Sequence, residues 1–196
     1  MFKAFLDDID RAWRLQRPHD TRLHFHVFGS AALLLQESRY RRGTKDADIL
    51  ETAEIIQVHD ALRKIAGRES LLYTKHRIYL EVVSSGIPFL PHPAEWLPWW
   101  PNEFSSFDVS VLAVSDVVVS KLIRFSVSDQ DDIQAMIDGN RITHDQLLLR
   151  LRTAIDYFST DARASHDLPL IVENFNSVER DFFGITETRL DLPSWI

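Results

Sequence analysis

Asp46 and Asp48 are the residues whose types and spacing most directly suggest chemistry. They sit in Asp46-Ala47-Asp48-Ile49-Leu50, a run that reads as a β-strand. Residues two apart on a strand project from the same face, about 7 Å apart along it. Two carboxylates held side by side repel unless a positive charge lies between them. Oxygen ligands in a chain without cysteine suit a hard divalent cation, Mg2+ or Mn2+. Ala47 and Ile49 then face the core.

Phe28-Gly29-Ser30 lies upstream, between the strand His24–Phe28 and the short helical run 31–36. Glycine lets a bulky anion approach the backbone, and the amides and dipole at a helix start favour phosphate. The Ser30 hydroxyl adds a donor. A phosphate cradle beside a carboxylate pair is what metal-assisted phosphoryl or nucleotidyl transfer requires. Glu81 would complete a two-metal site. It interrupts the apolar strand Ile78–Val83, where a charge must be exposed at an edge, paired, or bound to a cation. The bland reading of Glu81 is an edge acid paired with Lys75 or Arg77.

The elements that must position these groups follow from periodicity. Phe2, Phe5, Leu6, Ile9 and Trp13 recur at helical spacing, and Pro18 stops that helix. A helix is expected over Thr52–Ile65, with Ile55, Ile56, His59 and Leu62 on one stripe. Leu71-Leu72-Tyr73 and Ile78–Val83 read as strands. Pro88 to Phe104 holds five prolines and three tryptophans, so a long loop is expected. Val109–Val114 reads as a strand, with Ser115-Asp116 as cap for a helix over 116–126. Further helices are expected over 130–138, 143–158 and 168–183, the second of them opened by a Thr143/Gln146 capping box. Mixed strands and helices up to about residue 115, then helices, predict an α+β fold with a helical C-terminal part. The expected division is a core over 1–140 and a helical extension over 141–196, packed on that core.

Composition narrows the classes. The 196 residues are 45% hydrophobic and 26% charged, so a core can form and wholesale disorder is excluded. A net charge of -7 excludes a protein built mainly to coat nucleic acid, so phosphate contacts must come from a local patch. No apolar run reaches the roughly 18 residues that a membrane helix needs. Met1–Asp8 is too acidic and amphipathic for a signal peptide, and the expected location is the cytoplasm.

The order Gly29-Ser30, a short helix, a basic loop, then Arg42-Gly43-Thr44-Lys45-Asp46-Ala47-Asp48 resembles the nucleotidyltransferase superfamily, with its DNA polymerase β-like fold. The closer likeness is to the bacterial branch that includes AbiEii-type toxins of toxin–antitoxin systems. Its later helical signature is matched by Ser120-Lys121-Leu122-Ile123-Arg124, then Asp129-Gln130-Asp131-Asp132-Ile133. The resemblance covers roughly residues 24–137. It implies a mixed sheet flanked by helices, a nucleoside triphosphate such as ATP as substrate, and a divalent metal, Mg2+ or Mn2+. By match of motif, Gly29, Ser30, Lys121, Arg42 and Thr44 hold the nucleotide. Asp46, Asp48 and Glu81 are the catalytic and metal-binding acids, and Asp132 is an additional site residue. The implied partners are an acceptor, such as tRNA or protein, and an antitoxin. Glu81 stands where many relatives carry Asp, and Ser126-Val127-Ser128 replaces an Arg-Asp pair.

Other features carry two readings each. Arg39, Arg41, Arg42 and Lys45 form either a solvated loop or a phosphate clamp. His24 and His26 share a strand face as a packed pair or as metal ligands. Trp96, Trp99 and Trp100 pin a proline-rich loop or stack on a base. Asp129 and Asp131 favour a helix start or belong to the site. The leading function is transfer of a nucleoside monophosphate to an acceptor hydroxyl on a tRNA, a protein or a small molecule. The alternative is a catalytically degenerate module of the same fold that binds a nucleotide or a partner. A metal-dependent phosphohydrolase or nuclease is the third, weakened by the Gly-Ser turn, which such an enzyme does not need.

Overall fold

A computed structural model describes residues 1–16, 22–37, 43–160 and 164–192. By contacts the chain divides into two compact units. The first comprises 1–35, 41–87 and 96–112, and the second 36–40, 88–95 and 113–196.

The first unit is built on a five-stranded mixed sheet of order β3-β2-β1-β5-β4. Its strands are β1 (Leu23–Val27), β2 (Asp46–Leu50), β3 (Tyr79–Val83), β4 (Trp96–Trp99) and β5 (Phe107–Leu112). β1 runs antiparallel to β2 and parallel to β5, while β2 and β3 are parallel and β4 and β5 antiparallel. Alternation sorts the strand residues by face. Phe25, Val27, Ala47, Ile49 and Leu80 are buried in the core, as expected for Ala47 and Ile49. His24, His26, Asp46, Asp48 and Glu81 point the other way, and none of them is fully buried.

Helix α1 (Phe2–Gln16) buries the expected stripe of Phe2, Phe5, Leu6, Ile9 and Trp13. It is tied down by Asp8, whose carboxylate accepts hydrogen bonds from Lys75, His76 and Arg11. These bonds hold Asp8 below the usual carboxylate range. Helix α2 (Gly29–Gln36) starts directly after β1. Helix α3 (Ala53–Ala66) is capped by Thr52, whose hydroxyl accepts from the Ile55 amide. Its buried stripe is Ile55, Leu62, Ile65 and Ala66. Ile56 and His59, expected on that stripe, are exposed instead.

Two expectations in this unit are corrected. Leu71-Leu72-Tyr73 is the start of a short helix, α4 (Leu71–His76), and not a strand. The reason is its capping: the Ser70 hydroxyl accepts from the Tyr73 amide, and Arg77 closes the far end in the left-handed region at φ 59°. The segment from Pro88 to Phe104 is not all loop, because Trp96–Trp99 forms β4. This strand lies at the sheet edge, where Pro98 removes no ladder bond from a further strand.

The second unit holds α5 (Val114–Lys121), α6 (Val127–Asp138), α7 (His144–Phe158), α8 (Leu168–Val178) and a π-helical turn over Glu179–Phe183. Thr143 and Gln146 form the expected capping box. Ser126 and Asp129 form another at the start of α6. The expected Ser115-Asp116 cap is absent: Ala113 occupies the cap position without a side-chain bond. Asp116 is instead fully buried, accepting from the Glu95 amide at 2.7 Å and from Arg150 at 2.6 and 2.7 Å. Among the described residues, no helix is long and apolar enough to cross a membrane.

Candidate active site

The sheet register builds the site. Asp46 lies opposite Tyr79, and Asp48 opposite Glu81, in the parallel ladder of β2 and β3. All four therefore share one face. Asp46, Asp48 and Glu81 each offer a carboxylate oxygen, and these oxygens lie within 4.8 Å of one another. Asp46 and Asp48 are half-buried and Glu81 is exposed, so the cluster opens to solvent. Three carboxylates this close fit a divalent cation of hard character: the donor set is all oxygen, and positive charge would relieve the repulsion among the groups.

Gly29 abuts this cluster. Its φ is +64°, and a Cβ built there would fall 2.6 Å from Asp48 Oδ2. Both the backbone conformation and the space therefore require glycine. The Phe28 amide donates to the Asp48 carbonyl at 3.0 Å, which fixes the turn against β2. α2 begins at Gly29 and Ser30, so its first amides start beside the carboxylates. An anion bridged to the acids by a cation would find the positive end of a helix there.

Thr44 was expected on the nucleotide. Its hydroxyl donates to the Asp46 carboxylate and lies 3.1 Å from the Asp46 carbonyl. Thr44 thus orients a carboxylate of the cluster. Arg42, with Arg39 and Arg41 of the basic loop, lies outside the described residues.

Lys121 and Asp132 belong to the second unit and meet each other there. The Lys121 ammonium lies 2.8 Å from Asp132 Oδ2 and 3.1 Å from Asp129 Oδ1, and all three residues are buried. Asp129 also accepts from Arg124 at 2.7 Å and from Ser126. Burial pushes the Asp129 carboxyl up, but the bonds from Arg124, Ser126 and Lys121 outweigh it and hold the group well below the carboxylate range.

His24 and His26 are a packed pair. Their rings stack at 4.3 Å with an interplanar angle of 7°. His24 Nε2 lies 2.7 Å from Ser110 Oγ, and the His26 ring meets Trp96 edge-on at 4.6 Å. Trp99, Trp100, Phe104 and Phe107 form a continuous chain of ring contacts, the packing role expected of such tryptophans.

Sequence reasoning missed the surroundings of Glu81. Tyr79 is buried, its ring carries the Arg68 guanidinium 4.7 Å from the centroid, and its hydroxyl accepts a hydrogen bond from Arg68. Burial pushes the Tyr79 phenol up, and the Asp46 and Glu81 charges add to this against the pull of Arg68. A cavity of 310 Å³ adjoins Glu81 and is lined by His59, Arg63, Arg68 and Tyr79 among others. The signal available was the spacing of Arg63, Lys64 and Arg68 around the end of α3, which reads alone as a solvated helix terminus.

Residues 4–181 match the model of a family described as "Nucleotidyltransferase of unknown function (DUF6036)". No curated protein and no solved structure matches the chain.

Proposed function

The chain belongs to this nucleotidyltransferase family, and on that premise we propose that it moves a nucleoside monophosphate from a nucleoside triphosphate to an acceptor hydroxyl, with Mg2+ or Mn2+. The observation that carries the reading is the convergence of Asp46, Asp48 and Glu81 within 4.8 Å beside the tight turn at Gly29.

Beside these acids a divalent cation, when bound, would supply charge neutralisation at the phosphates and Lewis-acid activation. Asp46 and Asp48 would hold it, and the Thr44 hydroxyl keeps Asp46 in position. The Gly29–Ser30 backbone and the Ser30 hydroxyl receive the triphosphate. Glu81, the exposed member, accepts the proton of the acceptor hydroxyl. The acceptor oxygen then bonds to the α-phosphorus, the bond from that phosphorus to the bridging oxygen breaks, and pyrophosphate leaves with the electron pair. The proton passes from Glu81 to solvent.

The motif likeness to AbiEii-type toxins points the proposal toward a tRNA or protein acceptor and an antitoxin partner in the cytoplasm. Incubation with labelled nucleoside triphosphates, Mg2+ and cell lysate tests the reading. Transfer is expected for the unaltered chain and not for Asp46→Ala or Asp48→Ala. Labelling that persists undiminished in those two variants would refute the metal role. Metal-dependent nucleotide binding without transfer to any lysate component would favour the degenerate module instead.

A further inference from the structure

We propose that the basic cleft along the open edge of β3 is the acceptor's phosphodiester site, so that the acceptor is a nucleic-acid strand presenting a terminal hydroxyl to Glu81. This deepens the transferase reading above and rests on it.

β3 is the last strand of the sheet, so one side of its backbone is unpaired by any further strand. Tyr79, Glu81 and Val83 pair toward β2, as shown by the Tyr79 amide donating to the Lys45 carbonyl at 2.9 Å. By alternation, the amides of Leu80 and Val82 point to the open side. Leu80 and Val82 also line the 310 Å³ cavity, whose far wall is the last turns of α3 and the residues after it. Donors from the strand edge and cations from the helix therefore face one another across the cleft.

The cations continue past this cavity. A second one of 360 Å³ is lined by Arg63, Lys64, Arg68 and Glu69. Arg63 and Arg68 border both spaces, so the two adjoin. His59, Arg63, Lys64 and Arg68 are exposed. Among the described residues, no carboxylate lies within ion-pair distance of Lys64 or Arg68, and Arg63 has only the exposed Asp60 at 4.0 Å. In a chain of net charge -7, Arg63, Lys64 and Arg68 thus outnumber the acids that line the two spaces, Glu69 and Glu81.

The helix dipole accounts for Arg63 and Lys64 at the end of α3 but not for Arg68, which follows the helix. Arg68 is placed by two contacts. Gly67 lets the chain turn tightly, since a Cβ there would fall 2.4 Å from the Arg63 carbonyl. Tyr79 then fixes the guanidinium by its hydroxyl and its ring face. The cation is thus held over a residue that neighbours the acids, with Glu81 lining the same cavity.

Two adjoining cationic spaces suit successive phosphates of a strand better than one isolated phosphate on a peptide. A strand lying in them brings its end to Glu81, the acid assigned to the acceptor hydroxyl. The charge needed is local, which reconciles an acidic protein with a polyanionic acceptor.

The test uses the full chain and a fluorescein-labelled single-stranded RNA oligonucleotide with a free 3′ hydroxyl, read by anisotropy across a salt series. Mg2+-ATP binding is followed in parallel by calorimetry. The unaltered chain is expected to bind the strand with affinity that falls as salt rises. Arg63→Gln combined with Lys64→Gln, both at exposed helix positions, is expected to weaken strand binding at least tenfold. The salt slope should drop by about 1.4, two contacts at roughly 0.7 each. Arg68→Gln should act in the same direction, while Tyr79→Phe, which keeps every cation, should change strand binding less than threefold. Nucleotide affinity should stay within twofold throughout. Absence of strand binding by the unaltered chain, undiminished binding by the charge variants, or preference for a phosphopeptide would overturn the proposal. Failure of Mg2+-ATP to bind the unaltered chain would instead sink the transferase reading, whatever the strand result.

Discussion

Asp48 and Glu81 stand directly opposite each other in the parallel ladder between β2 and β3. Like charges in that position oppose strand pairing by about 0.2–1 kcal/mol. Asp46 adds a third carboxylate within the same 4.8 Å. Sequence and fold thus hold together three acids whose mutual repulsion a bound cation would relieve.

The first prediction concerns stability without and with metal. Asp48→Asn is expected to raise the melting temperature of the metal-free chain slightly, by relief of roughly 0.2–1 kcal/mol. The unaltered chain should gain about 2.7 kcal/mol at a Mn2+ concentration a hundredfold above its dissociation constant. Asp48→Asn should lose most of that gain. Thermal melts with and without Mn2+ decide the matter; equal metal stabilisation of both proteins would show that the cluster does not hold the ion.

Gly29→Ala is the second. The left-handed backbone at φ +64° alone costs a non-glycine residue about 1–2 kcal/mol. The added methyl would also displace the Asp48 carboxylate, now 2.6 Å from where the Cβ would be. Urea unfolding should show the loss, and Mn2+ affinity by calorimetry should fall with it. In an Asp48→Ala background the stability cost of Gly29→Ala should shrink toward the backbone part alone. A cost that stays the same in both backgrounds would mean the two residues do not compete for space.

Much of this was legible in the chain. Asp46 and Asp48 share a face because strand geometry dictates it, and Ala47 and Ile49 are buried for the same reason. Glu81 stood out as a charge interrupting an apolar run. The tyrosine at 79 gave no such signal, because its meaning depends on a register between β2 and β3 that no local pattern sets. Leu71-Leu72-Tyr73 misled because three apolar residues carry no period, and the Ser70 cap decided in favour of a helix. β4 was hidden by Pro98, since a central strand would exclude proline while an edge strand tolerates it. Asp116 looked like a cap by position, but its carboxylate is taken by Arg150, 34 residues away in sequence.

The third prediction is a pH dependence at His26. Burial, followed by the neighbouring His24, pushes its imidazole down to about 4. Its Nδ1 is buried without a hydrogen-bond partner, so a proton there would gain nothing in the fold. In the unfolded chain the imidazole titrates near 6.5. Between about pH 6.5 and 4 the unfolded state therefore binds a proton that the folded state refuses. The stability contributed by the neutral ring is complete above pH 6.5 and declines as the pH falls toward 4. NMR of the ring resonances should place the His26 midpoint near 4, well below that of a free imidazole. His26→Gln should flatten the acid limb of a stability–pH profile over that window. A midpoint near 6.5 would show that the ring is hydrated and the stack loose.

The fourth prediction separates two roles for Lys121. Its ammonium lies 3.1 Å from Asp129 and 2.8 Å from Asp132, with all three side chains buried. Removing the cation from such a group leaves carboxylate charge in a poorly solvated place, and the cost of breaking a buried pair is about 3–5 kcal/mol. Arg124 still bonds Asp129 at 2.7 Å, so part of the Asp129 charge stays compensated. Lys121→Met is therefore expected to lose about 3–5 kcal/mol in urea unfolding, and pairing it with Asp132→Asn should return part of the loss. Lys121→Arg should lose less than Lys121→Met because it keeps the charge, although its planar fork fits a site built for an ammonium imperfectly. If Lys121→Met unfolds like the unaltered chain and is deficient only in nucleotide binding, the ammonium serves the triphosphate and not the packing of α5 against α6.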